Sequence, residues 1–448
     1  MSEIPVSDVE FLLLAFQHIG LLAILMVCGC IFLYFATAKP GFALADPLHF
    51  FYAFTFGTSY GVITLLAIED RLSLGAITLI FGYGALFLFG LWFGQFLPFR
   101  SLFRKSYPLN SSAERTSLAF KRALFLSALL VSIYFFIVGS PFSVESRFEA
   151  NRGVGFIPRL LDPLRLIISG LLYAVVQRKS AFLKFLAFTY IVILSLASGA
   201  KFALLESAYA VWVTSQLMKP KFLKLENTSK LKKFFLYFVV VVIATIFVLL
   251  FLNFGSQARE AEQYGRAATI EGIPLPVELL VLRIIANADM YYLGLPDDTF
   301  FQAISIHNPL AQFFGPLVGD GVMRKIFNYP LSDSEIGRQL WLYWYPGDPI
   351  MRGPTNHFDL VAYTHFGSLG GVVFCFFLGG SIGLLRRSML KCHSLPGWKA
   401  AILSALYLRA LVSLLSPSLS LAYLIDLLVV SFLLTCKPIF SRNKLMSK

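Results

Sequence analysis

Long runs of apolar residues constrain this chain more than any other feature of its sequence. A helix needs about 20 apolar residues to cross the hydrocarbon of a bilayer. Hydrophobic residues make up 57% of the 448 positions and charged residues only 14%, which excludes an ordinary soluble domain. Eleven runs of suitable length extend over about residues 11–36, 48–68, 72–97, 123–139, 160–177, 183–199, 202–218, 234–254, 366–385, 399–416 and 418–436. We therefore predict an all-α polytopic membrane protein with about 11 transmembrane helices.

The positions of Lys and Arg predict how these helices are oriented, because short loops rich in them stay in the cytoplasm. Residues 98–122 and 219–233 are strongly basic, so both are predicted to lie inside. Alternate threading then puts the acidic N-terminus outside, the C-terminus inside and the polar segment 255–365 on the outer face. The organisation predicted is helices 1 to 8 in residues 1–254, a large external loop in 255–365, and helices 9 to 11 with a tail in 366–448. The net charge of +13 is mostly a topology signal, and no nucleic-acid partner is expected.

Ionisable residues inside membrane helices are costly and therefore informative. Arg409 and Asp426 fall at matching depth on the last two predicted helices, which favours a structural ion pair over a proton relay. Arg165 lies near the outer surface at a depth similar to Glu206 and Lys201. It either snorkels to the surface, pairs with Glu206, or lines an outward-facing cavity.

Two stretches carry a family resemblance. The first, Ser198-Gly199-Ala200-Lys201-Phe202-Ala203-Leu204, is a turn of small residues followed by a basic residue that opens a helix. The second runs from Gly353-Pro354-Thr355-Asn356-His357-Phe358-Asp359-Leu360 through Tyr363 and His365 to Gly370. With the large late outer loop, these stretches resemble the bacterial O-antigen polymerases and the related O-antigen ligases. An arginine followed after ten residues by a glycine, a pattern found in some polymerases, occurs at Arg159 and at Arg283.

The resemblance implies a GT-C-like architecture in the bacterial inner membrane and a glycosyltransferase activity on its periplasmic face. The enzyme would join oligosaccharide repeat units carried on a polyprenyl pyrophosphate of the undecaprenyl type into O-antigen or a similar surface polysaccharide, within lipopolysaccharide or polysaccharide biosynthesis. Its partners would be the lipid-linked oligosaccharide, the membrane and a chain-length regulator protein. Two alternatives remain: a ligase that moves the polymer onto lipid A core, and a transporter or flippase of the lipid-linked sugar.

The chemistry of such a transfer selects candidate residues. Arginine suits a pyrophosphate leaving group because it is always charged and grips phosphate oxygens with paired hydrogen bonds. The candidate pyrophosphate ligands are Arg283, Arg352, Arg266, Arg338, Lys201, Arg159 and Arg165. The acceptor hydroxyl also needs a base, and His357 is the first candidate, with Asp359 either orienting it or acting itself. The alternative is that His357 only ties down the return of the loop to the membrane.

Aromatic and acidic residues of the loop complete the predicted site. Trp341, Trp344 and Tyr345 either stack on sugar faces or form an interfacial belt. Residues 276–292 are predicted to form an amphipathic helix that lies on the membrane surface or dips into it, with Arg283 in its middle. Asp289, Asp297 and Asp298 have the oxygen ligands for a divalent ion. Adjacent aspartates after a proline are more commonly a solvated turn, so no metal and no other cofactor is expected.

Overall fold

The computed structural model describes residues 8–37, 46–97, 109–138, 155–176, 181–197, 203–218, 270, 272–348, 353–392 and 394–436. The described residues form helices and turns, with no strand among them. Among them, seven helices are long and apolar enough to cross a membrane: Ile19–Thr37, His49–Ile68, Leu74–Phe96, Ala113–Val138, Phe358–Lys391, Gly397–Leu414 and Pro417–Thr435. The prediction of a helical, multi-pass chain is confirmed at this level.

The helix count is lower than predicted in this part of the chain. Helices also occupy three further apolar runs, at Phe156–Val176, Ala181–Ala197 and Ala203–Met218. The last two are shorter than a span requires, and the first carries Arg159, Asp162 and Arg165. The predicted run 234–254 lies outside the described residues, so the number eleven stays a prediction.

We number the helices in chain order. The first eight are α1 (Asp8–Gln17), α2 (Ile19–Thr37), α3 (Thr55–Ile68), α4 (Leu74–Phe96), α5 (Leu109–Val138), α6 (Phe156–Val176), α7 (Ala181–Ala197) and α8 (Ala203–Met218). The helices of the polar segment are α9 (Leu275–Ile285), α10 (Asp289–Gly294), α11 (Thr299–Ala303), α12 (Pro309–Val318), α13 (Asp320–Phe327) and α14 (Ile336–Trp344). The last three are α15 (Phe358–Lys391), α16 (Gly397–Leu411) and α17 (Pro417–Thr435). Residues 270–357 are called the insert below.

The chain forms two compact units. The first contains Met1–Phe103, Leu225–Lys391 and Tyr407–Leu421, and the second contains Arg104–Lys224, Cys392–Leu406 and Ala422–Lys448. The first unit therefore holds the insert with α1 to α4 and α15, whereas the second holds α5 to α8. Helices α16 and α17 each contribute residues to both units.

In the first unit, α4 and α15 pack with their backbones in close approach. A Cβ added at Gly90 would overlap the carbonyl oxygen of Phe376, and one added at Gly379 would overlap that of Phe87. Small residues at four-residue spacing allow this kind of contact between membrane helices, where apolar side chains gain little by leaving lipid. The two glycines are therefore required by packing and not by backbone conformation.

Many large apolar side chains on the long apolar helices are exposed at the surface of the protein. Phe32 on α2 is 67% exposed and Phe136 on α5 is 92% exposed. Lipid is a suitable environment for such side chains, because leaving them in water would forfeit the free energy of burial, about 1.5–3 kcal/mol for each large side chain. The outward faces therefore agree with a multi-pass membrane protein.

The first predicted span, residues 11–36, is wrong at its start. The chain bends at His18, so α1 and α2 are separate helices and the span begins at Ile19. The ring of Phe11 on α1 stacks on that of Tyr292 in the insert, with centroids 4.3 Å apart. His18 Nε2 lies 3.2 Å from Glu69, just after α3. Helix α1 is therefore held beside the insert, and the predicted orientation of both relative to the membrane stays a prediction.

A buried ion pair connects segments that the charge threading assigns to the same side of the membrane. Arg386 on α15 contacts the carboxylate of Asp46 at 2.6 Å, and Tyr407 donates to the same carboxylate at 2.8 Å. The guanidinium also donates to the carbonyl of Thr37 at 2.8 Å, at the end of α2. The threading predicts that the end of α2, Asp46 and Arg386 lie on the same side, and their contact is consistent with that.

The predicted amphipathic helix over residues 276–292 is broken in two. Helix α9 ends at Ile285, a single 3₁₀ turn follows, and α10 begins at Asp289. Met290 and Tyr291 on α10 are fully buried, and Ser59 of α3 donates to the carbonyl of Asn287 at 3.0 Å. This part of the insert dips into the first unit instead of resting on its surface.

Candidate functional site

The return segment of the insert, Gly353 to His357, packs directly against the start of α14. A Cβ at Gly353 would overlap the backbone of Gly337, and the side-chain oxygen of Asn356 accepts the backbone N–H of Gly337 at 2.8 Å. The Gly-Pro-Thr-Asn-His stretch is thus a close backbone contact that leads the chain into α15. It fixes where His357 and Asp359 stand.

Asp359 is a fully buried carboxylate in the first turn of α15. The hydroxyl of Tyr291 donates to its two oxygens at 2.9 and 2.8 Å, and the backbone N–H of Leu360 donates at 2.8 Å. In the part of the chain that the structure describes, no Lys or Arg pairs with this carboxylate. Burial, together with the nearby charge of Asp359, raises the pKa of Tyr291 well above its ordinary value, so Tyr291 remains a proton donor.

His357 stands beside this pair and not within hydrogen-bonding reach of it. Its ring packs against Phe56 and Tyr291, with centroids 4.9 and 5.2 Å away, and the residue is only 1% exposed. Burial lowers the pKa of His357 to about 3, so the imidazole is neutral at physiological pH. Its Nδ1 atom is buried without a hydrogen-bond partner.

The predicted link between these two residues is therefore wrong. Asp359 does not orient His357, because its oxygens accept from Tyr291 and Leu360 instead. The backbone N–H of His357 donates to the carbonyl of Thr355 at 3.0 Å, which supports the loop-anchoring interpretation. The assignment of His357 as a base stays a prediction, and it would require the packed ring to become accessible to an acceptor.

A small cleft of about 20 Å³ opens next to the return segment in the first unit. It has room for about one water molecule or one hydroxyl group, since a single water needs roughly 10–15 Å³. Its walls come from α12, the start of α14, the return segment, α15 and the turn before α17. The lining residues are Gln312, Pro316, Glu335, Ile336, Asn356, Val361, His365, Ser416, Pro417, Ser418 and Leu419. The threading puts the turn at 416–418 on the same side as the insert, and both line this cleft.

Two lining groups of this cleft are buried and lack a hydrogen-bond partner. His365 Nδ1 lies 3.2 Å from the carbonyl of Val361, which leaves Nε2 as the acceptor, and that atom has no partner. Gln312 donates through its amide nitrogen to the carbonyl of Ser334, while its oxygen is buried and unpartnered. Glu335, an exposed residue, adds a carboxylate at the same place. None of the described lining residues is Lys or Arg, so the cleft matches a neutral ligand that supplies O–H or N–H donors.

Arg338 lies on α14, three residues beyond Glu335, and is largely buried. Its guanidinium donates to the carbonyl of Asp348 at 2.5 Å, and Trp341 donates through its ring nitrogen to the Asp348 carboxylate at 2.8 Å. Tyr345 packs on Trp341 with ring centroids 4.4 Å apart. Arg338 and Trp341 are thus positioned by one turn of the insert, close in sequence to the cleft residue Glu335.

Trp344 is held in a different way from Trp341. Its ring nitrogen donates to the carbonyl of Leu293 on α10 at 2.9 Å, and Tyr343 meets its ring edge-on. Trp341, Trp344 and Tyr345 are all half-buried, so each has part of its ring surface inside the insert. Their predicted contact with sugars is not tested by these hydrogen bonds, which use only the ring nitrogens.

Arg159 and Arg165 lie in the second unit. Arg159 grips the carboxylate of Asp426 through two nitrogens, at 2.8 and 3.1 Å. The partner predicted for Asp426 was Arg409, and that prediction is wrong: the residue that binds Asp426 in the structure is Arg159. The pair still fits the structural role expected for Asp426.

Arg165 is the centre of a buried network in this second unit. It contacts Asp162 at 2.8 Å and Glu206 at 2.5 Å, and donates to Ser207 at 2.9 Å and to the carbonyl of Ala203. Of the three alternatives for Arg165, the pairing with Glu206 is the one that the structure shows. Arg165 is 1% exposed, so it neither snorkels to the surface nor presents its charge to an open cavity.

The other predicted pyrophosphate ligands have no described side chain. Arg266, Arg352 and Lys201 lie outside the described residues, and Arg283 is described only as part of the backbone of α9. Their role as pyrophosphate ligands therefore stays a prediction.

Two cleft residues were missed from the sequence. Gln312 stands in the apolar run Pro309–Val318, and a lone amide in such a run was a usable signal. Glu335 follows Ser332, Asp333 and Ser334 and is indistinguishable by pattern from a solvated turn. His365 lies in the second family-like stretch, but the chemistry of that stretch singled out His357 and Asp359.

Comparison of the chain with protein-family models, with curated proteins and with solved structures finds no match in any of the three. The function is therefore argued from the site itself.

Proposed function

We propose that this protein is a membrane glycosyltransferase of the O-antigen polymerase type, which joins lipid-linked oligosaccharide units on the outer face of the bacterial inner membrane. The observation that carries the proposal is the lining of the cleft, where the side-chain oxygen of Gln312 and Nε2 of His365 are buried and lack a partner. Buried acceptors without donors are costly, about 1–3 kcal/mol each, and a ligand rich in hydroxyl groups would satisfy them. A sugar carries such hydroxyl groups. A multi-pass membrane protein would encounter a sugar that is attached to a lipid, because the lipid holds it at the membrane.

The cleft suits a hydroxyl group of the acceptor sugar better than the pyrophosphate. A pyrophosphate needs cationic ligands, and none of the described lining residues is Lys or Arg. Arg338 is one helical turn away from Glu335 and is the described arginine of the insert that is best placed to meet the leaving group. Arg283 and Arg352 remain predicted ligands of the same anion.

In this proposal Glu335 is the base. Its carboxylate takes the proton of an acceptor hydroxyl, and the hydroxyl oxygen forms a bond to the anomeric carbon of the donor sugar. The bond from that carbon to the pyrophosphate oxygen breaks, and the electron pair leaves with the polyprenyl pyrophosphate. Glu335 is an exposed residue that lines the cleft, whereas His357 is enclosed by aromatic rings. Desolvation of the Glu335 carboxylate, together with the nearby charge of Asp320, raises its pKa to about 7, which suits a base near neutral pH.

The experiment has a cellular part and a purified part. A strain lacking the gene is expected to carry single-unit surface glycolipid with no ladder. Long polymer stranded on the carrier would instead indicate a ligase, and single units left on the inner leaflet would indicate a flippase, and either result would overturn the proposal. With purified protein in nanodiscs and a lipid-linked oligosaccharide, Glu335→Gln should reduce polymer formation by a factor on the order of 10² or more.

Asp333→Asn is the matched control for this variant. Asp333 is an exposed carboxylate two residues earlier, it contacts Arg324 at 3.3 Å, and it does not line the cleft. It should keep wild-type polymer formation. A ladder from Glu335→Gln equal to that of Asp333→Asn would overturn the base assignment while leaving the polymerase proposal standing.

A further inference from the structure

Helices α12 and α13 form a hairpin with one exposed apolar face. The turn between them is Gly319, whose φ of 87° is a conformation that favours glycine. Large apolar residues recur along the outer face of both helices and are between 40% and 71% exposed: Leu310, Phe314, Val318, Val322, Ile326 and Phe327. On α12 they are four residues apart, so they form one stripe.

The opposite face of the hairpin is well packed. Gly315 and Met323 are buried, and a Cβ at Gly315 would meet the side chain of Leu331 at 2.7 Å. Asn308 caps α12 by accepting the backbone N–H of Ala311 at 3.0 Å. The hairpin therefore has a defined inner face, and its outer stripe is a continuous apolar surface of the kind that marks a contact site.

This outer stripe adjoins the apolar face of a membrane-spanning helix. The ring of Phe313 on α12 contacts the rings of Phe366 and Phe374 on α15, at 5.5 and 6.1 Å. Beyond the break in α15 at Gly367, exposed apolar residues again recur every four positions, at Leu369, Val373 and Phe377. The hairpin thus lies beside the first turns of the long apolar part of α15.

We propose that the α12–α13 hairpin is embedded in the bilayer, with lipid hydrocarbon as the occupant of its outer stripe. The continuity with α15 distinguishes lipid from a soluble partner. Gln312 and Pro316, on the same helix α12, line the cleft. A single helix, about 10 Å across, then separates hydrocarbon from the cleft.

This placement deepens the proposed function, on which its consequence for the substrate rests. A lipid-linked oligosaccharide would bind with a sugar hydroxyl group in the cleft and its prenyl chain in the bilayer on the other side of α12. Only the sugar head group of the substrate would need to leave the membrane, while the prenyl chain stays in the bilayer. The head group would pass α12 to reach the cleft.

The test uses the full-length protein in nanodiscs with the photoreactive amino acid p-benzoylphenylalanine placed at Phe314 or at Ile326. Phospholipid adducts, detected by mass spectrometry, are expected at both positions. Gln302 on α11 is exposed and polar, and the same label there should give at least tenfold less lipid adduct. Absence of lipid adducts at both hairpin positions, or cross-links to a second copy of the chain in their place, would overturn the inference.

A second measurement separates this inference from the polymerase proposal. Phe314→Glu should lower polymer formation from a long-chain prenyl donor by at least tenfold while changing that from a short, water-soluble donor less than twofold. Lipid adducts in a protein without polymerase activity would sustain the hairpin placement and overturn only the function. An equal loss with both donors would overturn the entry route.

Discussion

The hydrogen bond from Tyr291 to Asp359 is the contact whose removal has the most definite consequence. Tyr291→Phe deletes one hydroxyl that donates to both oxygens of a fully buried carboxylate, at 2.9 and 2.8 Å. The backbone N–H of Leu360 then remains as its donor among the described residues. A hydrogen bond to a charged group contributes about 1.5–3 kcal/mol. We therefore expect a loss of about 2 kcal/mol in the free energy of unfolding, or roughly 30-fold in the equilibrium constant.

Tyr52→Phe is the matched control. Tyr52 is also fully buried in the first unit, but its hydroxyl donates to the carbonyl of Gly84 at a longer 3.4 Å. Removal of that weak, neutral bond should cost about 0.5 kcal/mol. Both variants lose one oxygen from a tyrosine ring, so the difference between them reports the carboxylate.

The measurement is SDS-induced unfolding of the purified protein in mixed micelles, followed by circular dichroism. A double-mutant cycle is completed with Asp359→Asn and with the variant that carries both substitutions. In the Asp359→Asn background, loss of the Tyr291 hydroxyl should cost only about 1 kcal/mol, because the hydrogen bond removed there is between neutral groups. Equal losses for Tyr291→Phe and Tyr52→Phe, or no coupling in the cycle, would refute the reasoning that the Tyr291 hydroxyl stabilises a buried carboxylate.

Two other perturbations test the packing and the electrostatics of the first unit by the same titration. Gly90→Ala places a Cβ on the carbonyl of Phe376 and should destabilise the protein by about 1–3 kcal/mol. Gly82 lies on the same helix, but a Cβ added there meets nothing within 4 Å. Gly82→Ala should therefore stabilise the protein by up to about 1 kcal/mol. Equal effects would contradict the close approach of α4 and α15. Because the pKa of His357 in the folded protein is about 3, only the unfolded chain takes up its proton below about pH 6.5, so stability should fall with decreasing pH by up to about 1.4 kcal/mol per unit. His357→Asn should flatten that slope, and the same slope in wild type and variant would contradict the assignment.

The helical architecture was predictable because its signal is local: an apolar run of about 20 residues predicts a span wherever it occurs. The start of the first span was not predictable in this way. Residues 11–36 are largely apolar, and the break between α1 and α2 at His18 has no clear sequence signal. The ring of Phe11 on α1 contacts Tyr292, which is far away in the chain.

Ion-pair partners were predicted with mixed success for a geometric reason. The pair of Arg165 with Glu206, which the structure shows, was one of three alternatives because both residues lie near helix ends at similar depth. Depth also suggested Arg409 for Asp426, but sequence position gives only the height of a side chain along its helix and not the direction in which it points. Arg159 satisfies the direction as well as the height, and it holds Asp426 with two hydrogen bonds.

The choice of a catalytic base from the sequence is limited for the same geometric reason. A histidine in a polar loop next to a family-like motif reads as catalytic, because imidazole titrates near neutral pH. That inference depends on solvent access, and the folded chain encloses His357 between Phe56 and Tyr291 and lowers its pKa to about 3. Glu335 has no sequence signal, yet its position at the start of α14 makes it an exposed residue in the lining of the cleft. Whether a side chain can reach a substrate depends on how the return segment packs against α14, and this packing is not visible in a single sequence. The candidate base is therefore better chosen from the residues that line the cleft than from residue type alone.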